Sequence, residues 1–156
     1  DRSPSRGLGD VYKRQALRSS QVLEPVDFAS IGTNDLTQYA MAADRLQGEL
    51  AELLTPWQPA VIQLVKATCD GAGERLIGVC GEAAGDPLLA LVLVGVGVRS
   101  LSMAAGKITA VKAALSRHNL EQCRRIADAA LAACSPEEAR TAALKLADPS
   151  VEVLVS

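Results

Sequence analysis

Aromatic side chains are scarce in this chain of 156 residues, which holds one Trp, two Tyr and one Phe. Its core must therefore be aliphatic, and the 49% of hydrophobic residues, mostly Ala, Val and Leu, suits a helix-rich α/β protein. Neither sign of charge is in excess. Sixteen Lys and Arg against 18 Asp and Glu leave a net charge of −2, which removes the electrostatic case for nucleic acid or an anionic membrane. Long apolar runs are also missing: the longest, residues 88–98, is broken by glycines and falls short of the ~20 residues of a membrane span. No signal peptide is read at the start. The four cysteines, Cys69, Cys80, Cys123 and Cys134, form no C-x-x-C pair and have no metal-ligand spacing. Reduced thiols in a cytoplasm are the simplest account, so a soluble, cytoplasmic protein is expected, with length for one domain.

Residues 1–15 (DRSPSRGLGDVYKRQ) are polar, basic and broken by glycine, without helical or strand periodicity. They are read as disordered or as a translated adaptor, and are set aside from the fold. Residues 16–24 read as the last turns of a helix that Pro25 stops. Helices are expected over residues 36–43, 60–73, 88–94 and 107–115, and short buried strands at 28–31, 76–80 and 98–103. Asp86-Pro87 is a helix start with Pro at the first position. The order is three βα units, which belong to a barrel or to an open doubly wound sheet. Residues 120–134 and 136–147 read as two amphipathic helices, with Ser135 and Glu138 at capping-box spacing. The tail, residues 148–156, carries no signal. Trp57, between Pro56 and Pro59, is expected to cover a core edge rather than to stack on a ligand.

The stretch that organises the chain is residues 27–45, DFASIGTNDLTQYAMAADR. A short apolar run stops at Gly32, and Thr33, Asn34 and Asp35 are N-cap residue types in front of a helical segment. Strand, tight turn and helix follow with almost no loop. Backbone N–H groups and a carboxylate at one strand end suit a phosphorylated ligand with a metal ion. An ordinary βα turn whose Asn and Asp only cap the helix fits the same residues. A second stretch, IGVCGEAAGDP over residues 77–87, sets Cys80 at a strand end between Gly78 and Gly81. Small neighbours would let a substrate approach the thiol. A thiol of ordinary pKa, about 8.5, stays mostly protonated at neutral pH, as a proton donor must.

The block SIGTNDLTQY followed by AADR resembles the phosphoenolpyruvate-binding signature of the Enzyme I family, the phosphoenolpyruvate–protein phosphotransferases of bacterial sugar transport. IGVCGEAAGDP resembles the same family's cysteine-bearing signature. The resemblance runs from about residue 16 to about residue 147. It implies the last three βα units of a TIM (β/α)8 barrel plus two terminal helices, the barrel being incomplete in this chain. It gives residues 16–147 as a partial domain, between the non-family residues 1–15 and the tail.

For the site, the resemblance implies that Asn34 contacts phosphoenolpyruvate and that Asp35 binds Mg2+ together with an upstream glutamate that has no match here. Arg45 would contact the phosphate, and Cys80 would protonate the enolate carbon. Arg45 lies ten residues past Asp35, so the chain must turn back near Ala43 for the two to share a ligand; in an unbroken helix they would be ~15 Å apart. His118, the lone histidine, reads as a loop residue, since the family's phosphorylated histidine belongs to another domain. The implied activity is Mg2+-dependent transfer of phosphate from phosphoenolpyruvate to an enzyme histidine and on to the phosphocarrier protein HPr, with pyruvate as product. The longer enzyme is expected to be a homodimer, and this chain to be inactive alone. Pyruvate phosphate dikinase or phosphoenolpyruvate synthase carries similar blocks, and a non-catalytic binding or dimerisation fragment is the third reading.

Overall fold

The computed structural model describes residues 15–24, 26–43 and 53–155. Strands β1 (Phe28–Gly32), β2 (Leu76–Cys80) and β3 (Ser100–Ser102) form a parallel sheet in the order β1-β2-β3. Helix α1 (Ser19–Val22) precedes β1. Helices α2 (Thr33–Met41) and α3 (Pro59–Gly71) join β1 to β2, and α4 (Pro87–Gly95) joins β2 to β3. After β3 come α5 (Ile108–Leu115), α6 (Leu120–Leu131), α7 (Pro136–Leu146) and α8 (Ser150–Val155). The α/β class and the three successive βα units are as the sequence led us to expect. Residues 1–14, Pro25 and the stretch 44–52, with Arg45 in it, lie outside the described residues.

The core is built around α4. Pro87 stands in its first turn, and the Asp86 carboxylate accepts from the Leu88 and Leu89 N–H groups at 2.9 and 3.1 Å. These bonds satisfy donors that a helix start leaves without partners. Every residue from Pro87 to Leu93 is buried, so α4 is apolar all round, the mark of a helix covered on every side. Helices α5, α6, α7 and α8 all contact it. Each fully buried Leu or Val contributes about 1.5–3 kcal/mol. Gly95 lets α4 and α6 touch: a side-chain carbon there would collide with the Cys123 carbonyl and the Ala127 methyl.

Local chemistry sets several helix ends differently from the sequence expectation. The full capping box forms at α6, where Asn119 Oδ1 accepts from the Gln122 N–H at 2.9 Å and Gln122 Oε1 accepts from the Asn119 N–H at 2.8 Å. At α7 only half forms. Ser135 Oγ accepts from the Glu138 N–H at 3.2 Å, while the Glu138 carboxylate accepts from Cys134 N–H, one residue earlier than in a box. The segment read as a signal-free tail folds as α8. Asp148 Oδ1 accepts from the Ser150 N–H and hydroxyl, and Val151 is completely buried. The Ser150 hydroxyl and N–H hold the Asp148 carboxyl below its usual range. Trp57 is buried in the main core.

Of the cysteines, Cys134 is exposed and Cys123 buried, with Cys69 and Cys80 between. Burial first, and the neighbouring Asp70 carboxylate second, push the Cys69 thiol up to about 11 from an ordinary 9.0. Alkylation should therefore reach Cys134 well before Cys69 at pH 8, as peptide mass mapping would record. Because the folded-state value is the higher, Cys69 favours the folded chain below pH 9, and that contribution should fade as pH rises through about 11. Equal labelling rates for the two thiols in the folded chain would contradict this packing.

Candidate functional site

The strand register builds the site. Gly32 lies opposite Cys80, and Cys80 opposite Ser102, so the three strands deliver their last residues in one row. Helix α2 starts directly from β1, with Gly32 as its N-cap. Asn34 and Asp35 are thus inside the first helical turn and not at the capping position. A carboxylate there is favoured by the positive end of the helix dipole.

The two sequence blocks meet at this row. Thr33, 1% exposed, donates from Oγ1 to the Cys80 carbonyl at 3.3 Å, and the buried Thr37 donates from Oγ1 to the Thr33 carbonyl at 2.7 Å. Thr33 therefore pins α2 to β2, and Thr37 bonds back within α2, roles the sequence reading missed. Gly81, at φ +102°, adopts a left-handed conformation that a side chain rarely takes. A Cβ on it would sit 3.7–3.8 Å from the Asn34 amide, which places that amide over the glycine after Cys80. Gly81 N–H in turn donates to the Ser102 carbonyl at 3.1 Å. On Gly32, a Cβ would sit 3.8 Å from Asp35 Oδ2, so that carboxylate folds back toward the strand end.

Cys80 is half-buried and donates its S–H to the Ile31 carbonyl at 3.6 Å. Gly78 is a correction to the sequence reading. The space beside it is filled by the Phe28 ring at 3.3 Å and Ser100 Cβ at 3.4 Å, so it serves strand packing, and Gly81 alone is open toward the site. Asp86, in the same block, is committed to structure: besides capping α4 it accepts from Trp57 Nε1 at 3.0 Å.

A cleft of about 840 Å³ opens at this end of the sheet, lined by Asn34, Gly81, Glu82, Ser102, Lys107 and Arg140 among others. The last turn of α8 contributes Leu154 and Val155. Asp35 and Cys80 stand next in the chain to Asn34 and Gly81 without lining the cleft themselves. Among the described residues no three His, Cys, Asp or Glu side chains converge as a metal cage. The Asp35 carboxylate is of the hard-oxygen type that suits a cation such as Mg2+, which takes most of its shell from a bound ligand and water. Helix α2 ends at Met41, and Ala42 turns left-handed at φ 51°; Arg45 lies outside the described residues. His118 does not line the cleft. Its Nε2 accepts from the Asp148 N–H at 2.9 Å, leaving Nδ1 to donate to the Ala114 carbonyl at 2.8 Å.

Comparison with known proteins gives this geometry a family. The family of the PEP-utilising enzyme, PEP-binding domain, matches residues 13–120. The chain is 55% identical over 130 residues to a phosphoenolpyruvate-protein phosphotransferase of Streptomyces coelicolor, covering 82% of this chain and 23% of that protein. It is 43% identical over 127 residues to a multiphosphoryl transfer protein of Xanthomonas campestris pv. campestris, covering 80% and 15%. A phosphoenolpyruvate-protein phosphotransferase of Geobacillus stearothermophilus is 39% identical over 125 residues, covering 79% and 22%. The chain thus spans less than a quarter of the length of each of these relatives. With both signature blocks meeting at the end of one parallel sheet, the chain belongs to the family of PEP-utilising enzymes, within its PEP-binding domain.

Proposed function

We propose that this chain is the C-terminal part of the phosphoenolpyruvate-binding domain of a phosphoenolpyruvate–protein phosphotransferase. That enzyme would move phosphate from phosphoenolpyruvate to one of its own histidines and then to the phosphocarrier protein HPr, in the cytoplasm, in the service of sugar transport. The observation that carries the reading is the meeting of the two blocks, with the Asn34 amide against Gly81 and the Thr33 hydroxyl on the Cys80 carbonyl. Ligands of parallel α/β proteins bind at this end of the strands. The names of the similar proteins favour a phosphotransferase over a dikinase or synthase. The three βα units would be the last of a (β/α)8 barrel. In support, β1 is at the sheet edge with Phe28 half-exposed and Val22 and Val26 exposed beside it, an edge that a further strand would cover. The longer enzyme would be a homodimer.

Each residue then has a task. The Asn34 amide would donate to a phosphate oxygen, and the Arg45 guanidinium would grip the phosphate with two parallel N–H donors. Asp35 would hold Mg2+, which supplies positive charge against the phosphate oxygens. When the phosphate passes to histidine, the remaining enolate takes a proton at its terminal carbon. Cys80 would give that proton from Sγ, forming pyruvate and a thiolate that water reprotonates. The acceptor histidine would lie elsewhere in the longer enzyme, because both ring nitrogens of His118 are already engaged.

In the longer enzyme, Cys80→Ala should lower pyruvate formation by about 10²–10⁴-fold, the scale of a lost general acid, while phosphate transfer to the enzyme persists. Pyruvate release at the normal rate would assign the acid to another group. Asp35→Ala should lose Mg2+-dependent phosphoenolpyruvate binding in calorimetry with an unchanged circular dichroism spectrum; unaltered affinity would leave Asp35 a helix-start carboxylate. The 156-residue chain by itself should not phosphorylate HPr from labelled phosphoenolpyruvate and Mg2+. Charge-assisted contacts contribute about 1.5–3 kcal/mol each, and the ligands expected from upstream strands would be missing. Phosphorylated HPr at normal turnover would overturn the assignment as a fragment.

A further inference from the structure

Two cations in the cleft belong to neither signature block. Lys107 ends the short turn after β3, and Arg140 stands in the middle of α7. Both line the cavity that Asn34 and Gly81 line. Carboxylates are within the same cavity, at Glu82 and Asp86, yet among the described residues neither cation has an ion pair or a side-chain hydrogen bond. Arg140 also has Glu137 one helical turn behind it without pairing. By contrast, Arg124 and Glu121 at the same spacing approach to 3.9 Å. Asp86 is committed to the α4 cap and to Trp57.

Lys107 is exposed, but the base of its side chain has a defined seat. Its stem packs on Gly85 of the cysteine block, where an added Cβ would meet Lys107 Cγ at 3.3 Å and Cβ at 3.4 Å. Gly85 is buried, and its missing side chain is the space the lysine stem occupies. The block that presents Cys80 therefore also seats a lysine from the next βα unit. A lysine and a guanidinium, both exposed on the wall of one cleft and, among the described residues, without ion-pair partners, suit an anionic group. Arg offers a planar fork for carboxylate or phosphate, and Lys a compact point charge.

We infer that Lys107 and Arg140 form a second anion-holding pair, engaging a charged group of the substrate across the cleft from Asn34. The inference rests on the phosphoenolpyruvate reading above. A substrate that carries a carboxylate as well as a phosphate takes several cationic contacts, and the pair would add two, from the turn after β3 and from α7. Both are positioning residues: they hold the anion and take no part in the proton or phosphoryl step.

The test uses the longer enzyme with Lys107→Met, Arg140→Met and the double variant, each checked by circular dichroism. KM for phosphoenolpyruvate should rise about tenfold for each single variant, the scale of one partly exposed charge-assisted contact, with kcat within about twofold. The rise of KM with added salt should become shallower, because exposed charges are screened, and Lys107→Arg should restore most of the loss. Inhibition by inorganic phosphate and by pyruvate separates the two anions. Weakened phosphate inhibition assigns the pair to the phosphate, and weakened pyruvate inhibition to the carboxylate. Unchanged KM, or a raised KM with an unaltered salt dependence, overturns the inference. A wild-type enzyme that does not turn over phosphoenolpyruvate would instead overturn the function it rests on.

Discussion

The hydrogen bond from Thr33 Oγ1 to the Cys80 carbonyl is the contact on which the site depends. It joins the first residue of α2 to the last residue of β2, and so ties one signature block to the other across the strand register. The register alone aligns Gly32, Cys80 and Ser102. The threonine then fixes how α2 leaves the sheet, and with it where the Asn34 amide and the Asp35 carboxylate stand. Thr33 is buried, so an unmet hydroxyl there would be costly, and the bond satisfies it.

Behind that row the structure is conservative. An all-apolar helix, α4, fills the space that aromatic residues fill in many cores, and Gly95 lets α6 lie against its backbone. Asp86 links this core to the cleft, since the same carboxylate caps α4 and holds the Trp57 indole. The cysteine block thus carries two kinds of role. Gly81 lines the cleft beside Cys80, Gly78 packs within the sheet, and Gly85 and Asp86 join a place on the cleft wall to packing and capping roles. Interactions that hold a functional group in register are frequently made by its sequence neighbours, and here the division falls within eleven residues.

Much of this was legible from the residues. Periodicity gave the three short strands and the helices between them, and Asp86-Pro87 marked a helix start that the structure realises with two cap bonds. The expected junction of a strand running into a helix without a loop is present at Gly32 and Thr33. What could not be read was three-dimensional. Gly78 and Gly81 look equivalent on either side of Cys80, and only the Phe28 ring packed beside Gly78 separates them. Lys107 and Arg140 lie 27 and 60 residues beyond Cys80 in sequence, with no motif around them; only the folding of β3 and α7 brings them to the cleft. The helix in the tail was not read, although Asp148-Pro149-Ser150 has the residue types of a capped helix start. With the segment only nine residues long, its period was too short to register as a helix.

The central claim is that Asn34, on the cleft wall, and Cys80, beside Gly81 at its edge, serve one bound ligand. Protection of the Cys80 thiol tests it most directly. The longer enzyme would be treated with an alkylating reagent, with and without phosphoenolpyruvate and Mg2+, and the modified peptides quantified by mass spectrometry. The account predicts that the ligand slows labelling of Cys80 while leaving the exposed Cys134 labelled at the same rate. Equal labelling of Cys80 with and without saturating phosphoenolpyruvate would contradict it.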